Sequence, residues 1–199
     1  GWNAIGPLET AAGRGGWLAH QMRDWDGALV RRARMTALVA PRRPLRAREV
    51  DDLIAAMEAG SSVLVAASAE DGAGVAPLLE RLGLALRPGS SGPIPPEGRQ
   101  EEVAPRFVNP SPILAAPGVT PEPLYRYGEA ILAAALPVGR GKLLLFGDTR
   151  FFASSNVEGI WGWWGGNLRF IHDVFSLHAG AGTQPPPQVF QPPLRPEGE

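Results

Sequence analysis

The sequence contains no cysteine. Disulfides, thiolate metal sites and cysteine nucleophiles are therefore all excluded. Lysine is nearly absent as well. Lys142 stands alone beside 18 arginines, a bias most simply explained by genome composition. No apolar run approaches the roughly 18 residues that would span a bilayer. Histidine occurs only as His20, His172 and His178, and no two of them have the i,i+4 spacing of a helical metal pair. His172 and His178 do not share a helix face. Neither Gly72-Ala73-Gly74 nor Gly139-Arg140-Gly141-Lys142 matches a phosphate-loop or dinucleotide fingerprint. No metal and no cofactor is expected.

What is abundant is glycine and proline, 25 and 21 of 199 residues. Much of the chain must then be turn, loop or extended tail. At 44% hydrophobic, it still has enough apolar material for a core. The net charge is −1, but it is unevenly spread. Residues 1–48 carry nine arginines against Glu9, Asp24 and Asp26, while the rest is acidic on balance. The densest stretch holds Arg31, Arg32, Arg34, Arg42, Arg43, Arg46 and Arg48. Arg31, Arg32, Arg42 and Arg43 are the candidate partner-binding arginines, set against the plainer reading of a solvated face. Nucleic acid is not an expected partner, because aromatics are not interleaved with the cluster and no reading motif is present.

Periodicity divides the chain. Trp17, Leu18, Gln21, Met22 and Trp25 recur at helical spacing and predict a short helix over 16–25. Ala28 to Arg32 is expected as a short strand. Thr36 to Ala40, closed by Pro41, reads as a buried strand. Leu45 to Ala59 is the clearest helix, with Val50, Leu53, Ile54 and Met57 on one face and Gly60 at its C-terminal cap. Ser62 to Ala67 is a second buried strand, and Val75 to Leu82 a helix ended by Gly83. Continuous apolar strands alternating with helices predict a mostly parallel sheet covered on both faces.

Residues 87–124 break this rhythm with a proline-dense excursion, expected over the surface with short extended pieces such as Arg106-Phe107-Val108. Ala130–Val138 and Lys142–Phe146 then form a hairpin about Gly139-Arg140-Gly141. A loop with Trp161, Trp163 and Trp164 follows. Asn167 is expected to cap a helix that buries Leu168, Ile171, Val174 and Phe175. Residues 1–180 are read as one α/β domain, and 181–199 as a Pro-rich tail.

The stretch from Gly139 to Phe152, with Lys142, Phe146-Gly147-Asp148-Thr149 and Phe151-Phe152, leads into Gly166-Asn167-Leu168-Arg169-Phe170. It resembles the end of class I glutamine amidotransferase-like domains. Those are found in bacterial domain-of-unknown-function 4350 proteins, gliding-motility-type transport accessory proteins and intraflagellar-transport relatives. Ala37 to Leu84 is similar to an earlier part of the same domains. The resemblance implies a flavodoxin-like three-layer α/β sandwich, in proteins that are often extracytoplasmic or membrane-associated. The chain departs from the family in three ways. A first strand is hard to find before Trp17, and the Pro-rich excursion replaces a more compact segment. The nucleophile turn would be Ala66-Ala67-Ser68-Ala69-Glu70, which has no cysteine and no flanking glycines, so amidotransferase chemistry is excluded.

Three readings of the chemistry follow. Ser68 stands where the nucleophile would be. A serine hydrolase would need His172 or His178 as base, with Asp148 or Asp173 orienting it. Asp148 and Thr149 follow a strand directly and, with Ser68, could line a crevice for a sugar or anion. Against this, an aspartate after a strand also serves simply to hold neighbouring amides in a turn. Trp161, Trp163 and Trp164 suit a protein hot spot or a membrane interface, set against packing over the domain's own core. The leading expectation is a non-catalytic accessory or scaffolding subunit, with protein partners in a membrane-bound transport or bioenergetic complex. It would be a bacterial, periplasmic pseudoenzyme, peripheral to the membrane.

Overall fold

Ser62-Val63-Leu64-Val65-Ala66 has no side chain that prefers water over a core except its first. Successive strand residues face opposite sides, so such a run needs cover on both. The computed structural model provides it, and describes residues 6–14, 16–89, 105–157 and 165–178. The strands are β1 Met35–Val39, β2 Ser62–Ala66, β3 Leu84–Leu86, β4 Ile113–Ala115, β5 Glu122–Tyr127, β6 Ala130–Val138 and β7 Gly141–Phe146. The helices are α1 Gly6–Arg14, α2 Gly27–Arg32, α3 Ala47–Glu58, α4 Ala76–Arg81, α5 Ser154–Val157 and α6 Gly165–His178, with a 3-10 turn at Gly72–Gly74.

The main sheet has the order β1-β2-β7-β6-β5. β1 pairs with β2, and β2 with β7, in parallel. β6 is antiparallel to both β7 and β5. Four of the five strands therefore point one way, and β6 alone opposes them. The mixed α/β fold with a mostly parallel sheet matches the sequence pattern. β3 and β4 form a separate antiparallel ribbon.

Two apolar clusters lie on the two faces. Val63, Val65, Leu143 and Leu145 join Val30 of α2, Val50, Leu53 and Met57 of α3, and Leu78 of α4. Leu64, Ala66, Leu144 and Phe146 join Leu8 of α1, Val157 of α5, and Ile171, Val174 and Phe175 of α6. α3 ends as its sequence predicts. Gly60 has φ +112°, its N–H donates to the Met57 carbonyl, and the Ser61 N–H donates to the Ala56 carbonyl. That is a Schellman cap, and it needs a residue tolerant of positive φ. Gly139 has φ +60° in the β6–β7 turn, where a Cβ would meet the Glu58 Cα at 2.5 Å.

Several local expectations are corrected. Residues 16–25 are not helical, because the helix comes earlier, as α1. Trp25 leaves the helical pattern to donate its indole N–H to Asp52 at 3.1 Å, while Leu18 lies in solvent. Ala28 to Arg32 is helix α2 rather than a strand. Asp26 caps it, accepting from the Ala28 and Leu29 amides at 2.9 and 3.1 Å. β1 is an edge strand with Ala37 exposed, so it is less buried than its apolar sequence suggests. β4 and part of β5 fall inside the stretch expected to be irregular. Pro123 masks the β5 pattern, and an edge strand can accommodate proline because one side of its ladder is unpaired. The excursion is also not merely superficial, since Phe107, Ser111 and Ile113 are buried.

Candidate functional site at the strand ends

The parallel strands β2 and β7 end side by side, where an α/β sheet ordinarily binds ligands. The residues that follow them are Ser68, Asp148 and Thr149, and the fold brings all three together. The Ser68 amide donates to Thr149 Oγ1 and to Asp71 Oδ1, both at 2.9 Å. The Ser68 hydroxyl donates to the same Asp71 oxygen at 2.7 Å, and the Thr149 hydroxyl donates to it as well. Burial pushes the Asp71 carboxyl up, but the bonds from Thr149 and Ser68 outweigh it and hold the group below its ordinary range. Ser68 is thus buried with its proton directed at a carboxylate. A serine nucleophile instead needs a base that takes this proton. His172, the proposed base, has Nδ1 3.7 Å from its neighbour Asp173.

Asp148 is completely buried. Its Oδ2 accepts from the Val108 and Asn109 amides at 2.5 and 3.1 Å, and its Oδ1 accepts from the Arg150 amide at 2.9 Å. The last bond is the turn contact weighed from sequence, made two residues on. The first two reach the far end of the excursion. Burial pushes the Asp148 carboxyl up, and the amides of Val108, Arg150 and Asn109 oppose this without cancelling it.

Other groups, of which only Asn167 stands out in the sequence, complete a clasp. Asn167 is not a helix cap. It is buried in the first turn of α6, where its Oδ1 accepts from the Arg106 amide at 2.5 Å and its Nδ2 donates to the Arg106 carbonyl at 3.2 Å. Asn156 donates to the Arg106 and Phe151 carbonyls at 3.0 and 3.1 Å. Its Oδ1 is buried without a hydrogen-bond partner. Ser111 Oγ accepts from the Ala69 amide at 2.9 Å, and the Ser111 amide donates to the Gly147 carbonyl at 2.6 Å. Between these bonds Phe107 is fully buried, stacked on Tyr125 at 5.1 Å and packed on Phe151 at 4.8 Å. The chain therefore lays residues 106–111 across its own strand ends. Asp71 had a sequence signal, standing three residues after Ser68. Ser111 had none, because only the fold brings it near Ala69.

The arginine cluster divides. Arg31 pairs with Asp52. Arg43 is bidentate to Glu49 at 2.7 and 2.6 Å, and the Arg46 amide adds a bond to Glu49 at 2.9 Å. The bond from Arg43 outweighs burial and holds the Glu49 carboxyl at about 2. Arg31 and Arg43 therefore hold α2 and the start of α3 in place. Arg32 and Arg42 are exposed, with no carboxylate partner among the described residues. Trp161, Trp163 and Trp164, His178's side chain and the tail lie outside the described residues. Among the described residues no group of acidic and histidine side chains could hold a metal, and no helix is long and apolar enough to cross a membrane.

No family model and no curated protein matches this chain. Among solved structures it is similar to the mmIFT52 N-terminal domain, with a TM-score of 0.62 at 14% identity. That match covers 86% of this chain and 88% of the other. It is also similar to the cytoplasmic protein STM1381 from Salmonella typhimurium LT2, with a TM-score of 0.57 at 9% identity, over 86% and 85%. At these identities the likeness shows the fold alone.

Proposed function

We propose that this chain is a non-catalytic accessory or scaffolding domain that docks on a larger, membrane-bound assembly. In this reading it is a flavodoxin-like three-layer sandwich related to the amidotransferase-like domains and stripped of their chemistry. It sits at the periplasmic face as a peripheral subunit. One observation carries it: the polar groups at the strand ends are spent on the chain itself. Ser68 and Thr149 serve Asp71, and Asp148 serves Val108, Asn109 and Arg150. A domain that closes its ligand crevice with its own backbone gains rigidity and gives up the site.

The reading is tested by gentle detergent extraction of the native source, size fractionation and mass spectrometry. Co-migration with membrane proteins is expected, and migration as a lone chain overturns it. The competing reading, a sugar or anion site at Ser68, Asp148 and Thr149, predicts ligand-dependent thermal stabilisation that Asp148→Asn abolishes. The serine hydrolase reading predicts labelling of Ser68 by a fluorophosphonate. The bond from Ser68 to Asp71 argues against that labelling.

A further inference from the structure

We infer that the outer edge of β1 is a docking site for an extended acidic segment of a protein partner, which adds to the sheet as a further strand. The backbone phase fixes which groups are on offer. The Ser62 amide donates to the Arg34 carbonyl at 2.8 Å, and the Ala40 amide donates to the Ala66 carbonyl at 3.0 Å. Alternate residues of a strand bond to the same side, so Thr36 and Leu38 serve β2. The N–H and C=O groups of Met35, Ala37 and Val39 point the other way. Among the described residues they have no hydrogen-bond partner.

The two edges of the sheet differ in how they are protected. β5 carries Glu122, Pro123 and Arg126 and two register shifts, all of which discourage pairing. β1 has neither charge, proline nor irregularity between Met35 and Val39. It instead floors a cavity of about 800 Å³, walled by Trp17, Met22 and Phe175 among others. An open strand edge along an apolar groove is the geometry of β-strand addition, where main-chain bonds give affinity and flanking pockets give selectivity.

Charge selects the occupant. The cavity lining holds Glu9 and Asp24 beside Arg23, Arg32 and Arg34 and the Glu49-paired Arg43, so arginine outnumbers the acids, and no acidic residue lies between Gly27 and Arg48. Arg32 and Arg34 precede the strand and Arg42 follows it; all three are exposed without a carboxylate partner among the described residues, and Arg34 lies over the Trp17 ring at 5.9 Å. A second copy paired antiparallel about Ala37 would set Arg32 against the other copy's Arg42, an unfavourable like-charge pair. Glutamates or aspartates on a partner strand would meet the same arginines favourably.

The inference rests on the docking reading only in expecting a protein partner, and it is tested separately. An array of octapeptides alternating valine or threonine with glutamate is probed with the purified chain, beside the same array with lysine for glutamate. The best acidic peptide is measured by fluorescence polarisation, and amide exchange is followed at Met35, Ala37 and Val39. Binding of the acidic set alone, with slowed exchange at those three amides, is expected. Ala37→Pro removes an outward N–H without touching the β2 ladder and is expected to weaken binding about tenfold or more. Arg32→Glu with Arg42→Glu leaves the edge and the contact of Arg34 with the Trp17 ring intact and is expected to weaken it similarly. If Ala37→Pro fails to fold, a peptide N-methylated at alternate amides makes the same test on the unaltered chain. Absence of binding at millimolar peptide, equal binding by the edge variants, or a dimer that Ala37→Pro dissolves would each overturn the inference. None of these outcomes bears on co-migration with a membrane assembly, which tests the docking reading by itself.

Discussion

The buried carboxylate of Asp148 accepts the backbone N–H of Val108 at 2.5 Å, across a sequence separation of 40 residues. This bond joins the end of the central strand to the return of the Pro-rich excursion. It turns a residue that looks like a ligand contact into a structural clasp.

Asp148→Ala empties a buried acceptor position and leaves the part-buried bonds of the Val108, Asn109 and Arg150 amides unmade. A loss of about 2–3 kcal/mol is expected in urea unfolding, with faster amide exchange at Val108 and Asn109. Unchanged stability would mean that water replaces the carboxylate.

Glu49 is held at about 2 by Arg43, well below the roughly 4.3 of an unfolded glutamate. The folded pKa is the lower one, so the ion pair's contribution is complete above the unfolded value. It is lost as pH falls through about 2. Asp148 has the opposite sign, because its folded carboxyl is raised and its ionisation weighs against the fold as pH rises. Glu49→Gln is expected to flatten the acid limb of a stability-against-pH curve between about 4.5 and 2. An unaltered acid limb would show that the pair contributes nothing.

Gly147 lies beneath the excursion's return, and a Cβ there would stand 2.0 Å from the Ser111 carbonyl oxygen. Gly147→Ala must displace residues 108–111 and is expected to cost about 2–3 kcal/mol, together with new protease cleavage in that segment. Gly118, unlike Gly147, has positive φ and has open space around it, so Gly118→Ala is expected to cost only about 1 kcal/mol of backbone strain. Thermal unfolding of the two variants separates close approach from dihedral strain.

Phe107 is fully buried between Tyr125 and Phe151. Phe107→Ala is expected to cost about 3–5 kcal/mol, as a core aromatic does. A surface-like cost below about 1 kcal/mol in urea unfolding would show that the excursion is not part of the core.

The strands and helices with strong periodicity were legible. Val50, Leu53 and Met57 marked the inner face of α3, the all-apolar β2 announced its two covered faces, and Gly60 and Gly83 marked helix ends. Residues 16–32 misled because their apolar spacing is satisfied by other means. Trp25 turns to Asp52, and Asp26 starts a new helix. At the site, Ser68, Asp148 and Thr149 stand out in the sequence because each follows a strand. Their use was hidden, since an aspartate aimed at a ligand and one aimed at a distant backbone amide read alike.

The sequence by itself determined the class of fold and the absence of thiol chemistry, because apolar period and residue type act locally and are visible in one dimension. Only the tertiary structure decided that the excursion closes the strand ends, that Arg31 and Arg43 are spent on Asp52 and Glu49, and that the outer edge of β1 is unpaired among the described residues. Each depends on groups far apart in the chain meeting at hydrogen-bond distance. That proximity comes from the packing of the whole sheet, and no local pattern carries it.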